Sequence, residues 1–379
     1  MGKKSTGSKE ITKEERKYPE KIDQRLQQIR FRIEEEKADG LFINYLPSIR
    51  YLTNFSGSSA FLIILLDEIW FFTDDRYEEQ IQTELYALPN LKTFITRDVW
   101  GYSVKKKLFK SVSTIVFESD KVSYQDVINI RNLIRPVKFK PATAIVEPFM
   151  MPKAPEELDN IRKACEISEK VFEEVLKSFK EGMSEKELAA EIVYRSRLHG
   201  SEGEPFPTIV VSGKRSSLVH GSPSKKPIKS GEIVLVDFGC IVNGFCSDIT
   251  RVFAIGKSTK EQRAIYSLLI KAKDTAIASI RPFVNGKLVD NAARSLIEKA
   301  GYGNNFQHSL GHGLGISPHE PPLLTFRKED EIIPESCVLA IEPGVYIPDK
   351  YGLRVEDNVY VNREGAKYLT KAPTELIVI

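Results

Sequence analysis

Apolar residues recur along this chain with two periods, and the change from one to the other marks its elements. From Ile22 a stripe through Leu26, Ile29 and Ile33 has the three- and four-residue spacing of a helix face, ending near Gly40. Residues 41–44 then predict a buried strand. Short apolar runs at 61–66, 69–73, 92–95 and 114–117 alternate with helical stretches. That alternation predicts an α/β layer with a mostly covered sheet. The proline-rich stretch 147–155 reads as a linker.

Beyond it, Leu158, Ile161, Cys165, Phe172, Val175 and Phe179 form one long helical stripe. Ser184 and Glu187 have capping-box spacing and predict a second helix. Strands follow at 208–212 and 232–238. Thr259 and Gln262 form another capping box, ahead of a helix through Ile280. Residues 287–300 predict a fourth helix, stopped by Gly301. Two helices, strands, two helices, strands suggests duplication of an ααβ unit.

Composition narrows the class. At 379 residues the chain exceeds the size at which one core stops growing, which predicts two domains. With 55 basic and 52 acidic residues, the net charge of +3 gives no support for a nucleic-acid partner. Residues 1–18 are polar and basic and predict a disordered tail. They lack the apolar core of a signal peptide, and no run is long enough to span a bilayer. The expectation is a cytoplasmic protein without a membrane partner. Cys165, Cys240, Cys246 and Cys337 have no zinc-site spacing, and buried thiols are favoured over a disulfide between Cys240 and Cys246.

The chemistry concentrates around an Asn243-Gly244 pair, the preferred two-residue hairpin turn. A turn centred there sets Val242 against Phe245 and Asp248 against Gly239. Asp237 shares a face with Gly239, so Asp237 and Asp248 become diagonal neighbours with an opening at Gly239. Two carboxylates aimed at one point call for a shared proton or a cation. Downstream come Gly311-His312-Gly313, His319-Glu320, Glu342-Pro343-Gly344 and Arg354-Val355-Glu356-Asp357. Gly311, Gly313 and Gly315 make a regular helix improbable there and predict an extended segment. Arg354 and Glu356 would share one face of a strand.

The ordered set Asp237, Asp248, His312, Glu342 and Glu356, each in its local context, resembles the pita-bread dinuclear metallopeptidases. The stretch from His308 to Glu320 is similar to the aminopeptidase P and prolidase branch, as are the segments around Tyr51–Ser58 and Thr73–Tyr77. The resemblance implies a creatinase-like α/β domain over residues 19–148 and a pita-bread catalytic domain over 149–379, hence an α/β (α+β) chain. It implies two divalent ions held by the five residues, with Asp248 and Glu356 bridging. An oxygen-rich site with one imidazole favours manganese, with cobalt or zinc as alternatives. The implied activity is a bridging hydroxide cleaving the Xaa-Pro bond at a peptide N-terminus, of aminopeptidase P type, with a dipeptide-restricted prolidase as the alternative. A homodimer is implied too.

By the same resemblance, Glu342 doubles as proton shuttle, His319 stabilises the oxyanion, and His220 and His308 line the substrate pocket. Arg354 would orient a carboxylate or grip one on the substrate. Tyr346 is a second donor or a packed aromatic, and His199 reads as a solvated helix cap. A metal-free creatinase-like hydrolase is disfavoured because all five ligand positions are filled. A non-catalytic binding module of this fold is disfavoured for the same reason, although the basic tail favours it slightly.

Overall fold

The computed structural model describes residues 21–379; the expected tail at 1–18 lies outside them. The chain divides into two compact units, with the boundary between Val146 and Glu147.

In the first unit the helix Ile22–Glu35 buries Ile22, Leu26, Ile29 and Ile33, the stripe read from sequence. It leads into β1 (Gly40–Ile43), β2 (Ala60–Leu65), β3 (Ile69–Thr73), β4 (Leu91–Ile95), β5 (Thr114–Glu118) and β6 (Lys138–Ala142). They form one mixed sheet in the order β4-β3-β2-β1-β5-β6. The central strands are almost wholly buried, as near-continuous apolar runs require. Strand β6 was not legible in the sequence. It is an edge strand alternating exposed Lys138 and Lys140 with buried Phe139, a pattern that protects an edge rather than filling a core. The helix Leu46–Thr53 was also missed. It carries Pro47 in its first turn and closes on Asn54 in the left-handed region.

The proline-rich stretch read as a linker starts at the boundary between the units and holds a short helix, Glu147–Met150, before the long helix Pro155–Ser178. Ser184 caps the helix Glu185–Leu198: its hydroxyl accepts from Glu187 N at 3.2 Å, and the Glu187 carboxylate accepts from Ser184 N at 2.7 Å. The helices Lys260–Ser279, capped by Thr259, and Gly286–Lys299 repeat the helix pair further on.

Strands β7 (Ile209–Ser212), β8 (Ile233–Phe238), β9 (Ile241–Val242), β10 (Phe245–Cys246) and β11 (Ile249–Ala254) follow the first helix pair. After the second pair come β12 (Gly311–Gly313), β13 (Glu320–Leu324), β14 (Val338–Ile341), β15 (Gly344–Ile347), β16 (Tyr351–Arg354), β17 (Asp357–Asn362), β18 (Gly365–Tyr368) and β19 (Ile377–Val378). Two larger sheets result, β19-β11-β8-β7 and β13-β12-β14-β17-β18. Leu235, Val252, Leu339, Ile341 and Val359 from their strands pack with Leu269, Ala276, Val289, Ala293 and Ile297 of the second helix pair in one core. All four cysteines are buried free thiols. Among the described residues no helix is long and apolar enough to cross a membrane.

Candidate active site

The hairpin forms in the register its turn dictates. Asn243 and Gly244 both take positive φ, +48° and +84°. Val242 faces Phe245, and further out Asp237 pairs with Thr250. Asp237 and Asp248 thereby reach one face. Gly239 does not leave an opening there. A Cβ would overlap Ser247 O, so the glycine lets the two strands close upon each other. Asn358 of β17 holds Asp248 in place: the Asp248 N–H donates to Asn358 Oδ1 at 3.0 Å, and Asn358 Nδ2 donates to Asp248 O at 2.6 Å.

His312 arrives on β12, the expected extended Gly-rich segment, between β13 and β14. A Cβ at Gly311 would overlap Ala340 O, and one at Gly313 would overlap Pro321 O; only glycine allows this approach. Nδ1 of His312 lies 3.0 Å from Gly313 O. A carbonyl can only accept, so Nδ1 carries the proton and the Nε2 lone pair is left free. Nε2 lies 3.8 Å from both Asp248 Oδ2 and Glu342 Oε1.

Glu342 follows β14, its N–H donating to Leu310 O at 2.8 Å. Glu356 lies in the link between β16 and β17, so the expectation that it shares a strand face with Arg354 is corrected: β16 ends at Arg354. The two side chains meet through Thr250. Arg354 Nε donates to Thr250 Oγ1 at 2.9 Å, and that hydroxyl donates to Glu356 Oε2 at 2.9 Å. Arg354, almost wholly buried, also donates to Asp237 Oδ2, to Val219 O at 3.1 Å and to Tyr346 Oη at 2.7 Å. Its guanidinium is thus committed to the protein.

These residues face a cavity of about 300 Å³. Asp237, Asp248, His312, His319, Glu342, Arg354, Glu356 and the exposed His220 line it. His308 and Tyr346 are not among the lining residues. His308 Nε2 is 3.0 Å from Tyr346 Oη and its Nδ1 2.8 Å from Ser309 O, so the pair backs Arg354. His199 lies outside the cavity, 3.0 Å from Glu174 at a helix end.

Burial and mutual repulsion dominate the electrostatics. Burial, then Glu356 and Asp237, push Asp248 well above the usual carboxylate range. Burial and Glu356 do the same to Glu342. Glu356 rises to about 8, by burial and then Asp237. Burial and the neighbouring His319 lower His312 to about 3; burial and Arg354 lower His308 to about 3. Carboxylates so crowded are poised to ionise around a cation. The donor set fits one. Asp237, Asp248 and Glu356 offer oxygens within 4.8 Å of one another, as do ligand atoms of Asp248, His312 and His319. Asp237 Oδ1 is buried without a hydrogen-bond partner.

The sequence reading missed Thr250, which follows Asp248 by two positions in extended backbone and so shares its face. That spacing was a usable signal. It also missed Phe206, Pro207, Thr208, Ile209, Ser222 and Pro223 of the cavity wall. No local pattern marks them, because only the fold brings these segments to the carboxylates.

A cluster of four carboxylates beside His312 and His319 in a mixed α/β scaffold defines a metallohydrolase-type site. The chain belongs to Metallopeptidase family M24, whose pattern matches residues 159–363; residues 25–149 match the Creatinase/Prolidase N-terminal domain. It is 33% identical over 360 residues to an Xaa-Pro dipeptidase of Pyrococcus furiosus, covering 94% of this chain and 100% of that one. Among solved structures it resembles an Xaa-Pro dipeptidase from Bacillus anthracis, with TM-score 0.88, 32% identity, and 94% and 100% of the two chains covered. An X-Pro aminopeptidase from Thermotoga maritima gives TM-score 0.85 at 34% identity, over 93% and 99%.

Proposed function

We propose that this metallopeptidase hydrolyses the Xaa-Pro bond at the free N-terminus of peptides. The convergence of four carboxylates with His312, His319 and His220 on a single cavity carries the reading. Asp237, Asp248, His312, Glu342 and Glu356 would hold two divalent ions, with Asp248 and Glu356 shared between them. Manganese suits this oxygen-rich set. Such ions lower the pKa of bound water and polarise the carbonyl it attacks.

The chain's own groups do the rest. Glu342 takes the proton of the attacking water and delivers it to the proline nitrogen, which leaves as an amine. His319 donates to the oxyanion. His220, also on the cavity lining, holds the substrate. Arg354 positions Asp237 directly and Glu356 through Thr250, with Tyr346 and His308 supporting it from behind. The same reading includes a cytoplasmic homodimer.

Peptides of three or more residues, the aminopeptidase P reading, are favoured because Arg354 is committed within the protein. It is poorly placed to grip the free carboxylate of a dipeptide. The test is hydrolysis of Gly-Pro beside an Arg-Pro-Pro tripeptide, in metal-stripped protein with and without added Mn2+. Metal-dependent cleavage of the tripeptide is expected. Activity confined to Gly-Pro would make it a dipeptidase, and cleavage of neither by the loaded protein would overturn the Xaa-Pro reading.

A further inference from the structure

Next to Glu356 in the chain, and outside the cavity lining, two buried cations converge on one buried carboxylate. Asp357, Arg251 and Lys273 are 0%, 3% and 2% exposed. Lys273, on the helix Lys260–Ser279, donates to Asp357 Oδ2. Arg251, on β11, donates through Nη2 to Asp357 Oδ1 at 3.0 Å. Thr370 Oγ1 donates to the same oxygen at 3.0 Å, and Ala372 N donates to it at 2.9 Å. Arg251 Nη1 reaches back to Glu356 O and, at 3.2 Å, to Thr250 O.

Arg251 Nη2 also lies 3.6 Å from the Glu169 carboxylate, so a second acid competes with Asp357 for the guanidinium. A buried ammonium carries a large desolvation cost, and its presence calls for a specific role. What Lys273 adds is a charged hold on the second carboxylate oxygen, which otherwise only shares the Ala372 N–H at 3.1 Å. With both oxygens held, the Asp357 carboxylate cannot rotate, and Oδ1 stays aimed at Arg251. Arg251 in turn grips the carbonyl of Glu356, the residue before Asp357. The cluster therefore fixes the peptide from which the Glu356 side chain projects.

We propose that Lys273, acting through Asp357 and Arg251, is a positioning residue for the Glu356 carboxylate and sets how tightly the site binds metal. This rests on the reading of Glu356 as a ligand shared by two ions. Groups hydrogen-bonded directly to metal ligands are worth about 10–100-fold in metal affinity, and Lys273, which acts through two further residues, belongs at the lower end of that range.

The test is calorimetric titration of the full, metal-stripped chain with Mn2+, for wild type, Lys273→Met and Lys273→Arg, beside thermal unfolding of each. Lys273→Met is expected to bind Mn2+ about 10-fold more weakly. Lys273→Arg, which retains a charged donor, is expected to recover most of that loss. A Lys273→Met protein that melts earlier but binds Mn2+ as wild type does would overturn the proposal, because the lysine would then serve stability alone. So would a Lys273→Arg protein as impaired in Mn2+ binding as Lys273→Met. If Lys273→Met does not fold, Lys273→Gln replaces it and is read in the same way. Wild-type protein that binds no Mn2+ would instead sink the dinuclear reading itself, an outcome visible before any variant is made.

Discussion

Single residues here act through one another more than singly. Thr250 accepts from Arg354 and donates to Glu356, so one hydroxyl links a guanidinium to a carboxylate. Thr250→Val keeps the shape and removes both bonds. It is expected to lower kcat with little loss of fold, read by steady-state kinetics beside a melting curve. His319 stands apart, its ring centroid 4.1 Å from that of His312 and its ring at the cavity lining. If it donates to the oxyanion, His319→Ala should reduce kcat by about 10²–10³-fold, the usual loss for one such donor. Mn2+ binding, measured by calorimetry, should persist. A comparable collapse in metal affinity would reassign His319 as a ligand, a role its proximity to Asp248 and His312 would also suit.

At the scale of elements, capping and close approach decide what the chain can build. The Ser184–Glu187 capping box was legible because both partners lie within four residues and satisfy orphan N–H groups locally. Ser184→Ala is expected to cost about 1 kcal/mol of stability and to leave KM unchanged, checked by denaturant unfolding and kinetics. The glycines of β12 are different. Their spacing predicted an extended segment, but which backbone they admit became visible only with β13 and β14 in place. A methyl at Gly313 would strike the Pro321 carbonyl. Gly313→Ala should therefore destabilise by about 1–3 kcal/mol, as overpacking does, and should weaken Mn2+ binding by displacing His312. Full affinity in a stable variant would contradict this account. The helix at 147–150 and strand β6 escaped the sequence reading for related reasons. Proline masked the first, and the alternating lysines of the second describe an edge rather than a core.

For the whole molecule, the metal-free site couples stability to pH. Asp248, Glu342 and Glu356 have pKa values raised by folding, Glu356 to about 8. In the folded state they hold protons that the unfolded chain has already released, so stability is lost as pH rises towards that value. His308 and His312, lowered to about 3, act oppositely, but only below the ordinary histidine pKa of about 6.5. Between about pH 6.5 and 8 the carboxylates act alone. Metal-stripped protein is expected to melt at a lower temperature at about pH 8 than at about pH 6.5, and added Mn2+ should abolish the difference. Equal or higher melting at the higher pH without metal would count against burial, reinforced by mutual repulsion, as what holds protons on these carboxylates.

Local order was written in the sequence: the helical stripes, the caps, the hairpin register that sets Asp237 beside Asp248, and the residue types able to hold a cation. Each depends on neighbours within a few positions or on a fixed backbone period. Tertiary structure alone decided that Asn358 clamps Asp248, that Arg354 is taken up by Asp237 and Tyr346, that His308 stands behind the cavity wall, and that Lys273 meets Asp357. Those partners lie from 8 to 117 positions apart in the chain. Apart from the eight positions between Tyr346 and Arg354, no propensity or period spans such separations. Packing the two helix pairs against the sheets is what brings them within bonding distance.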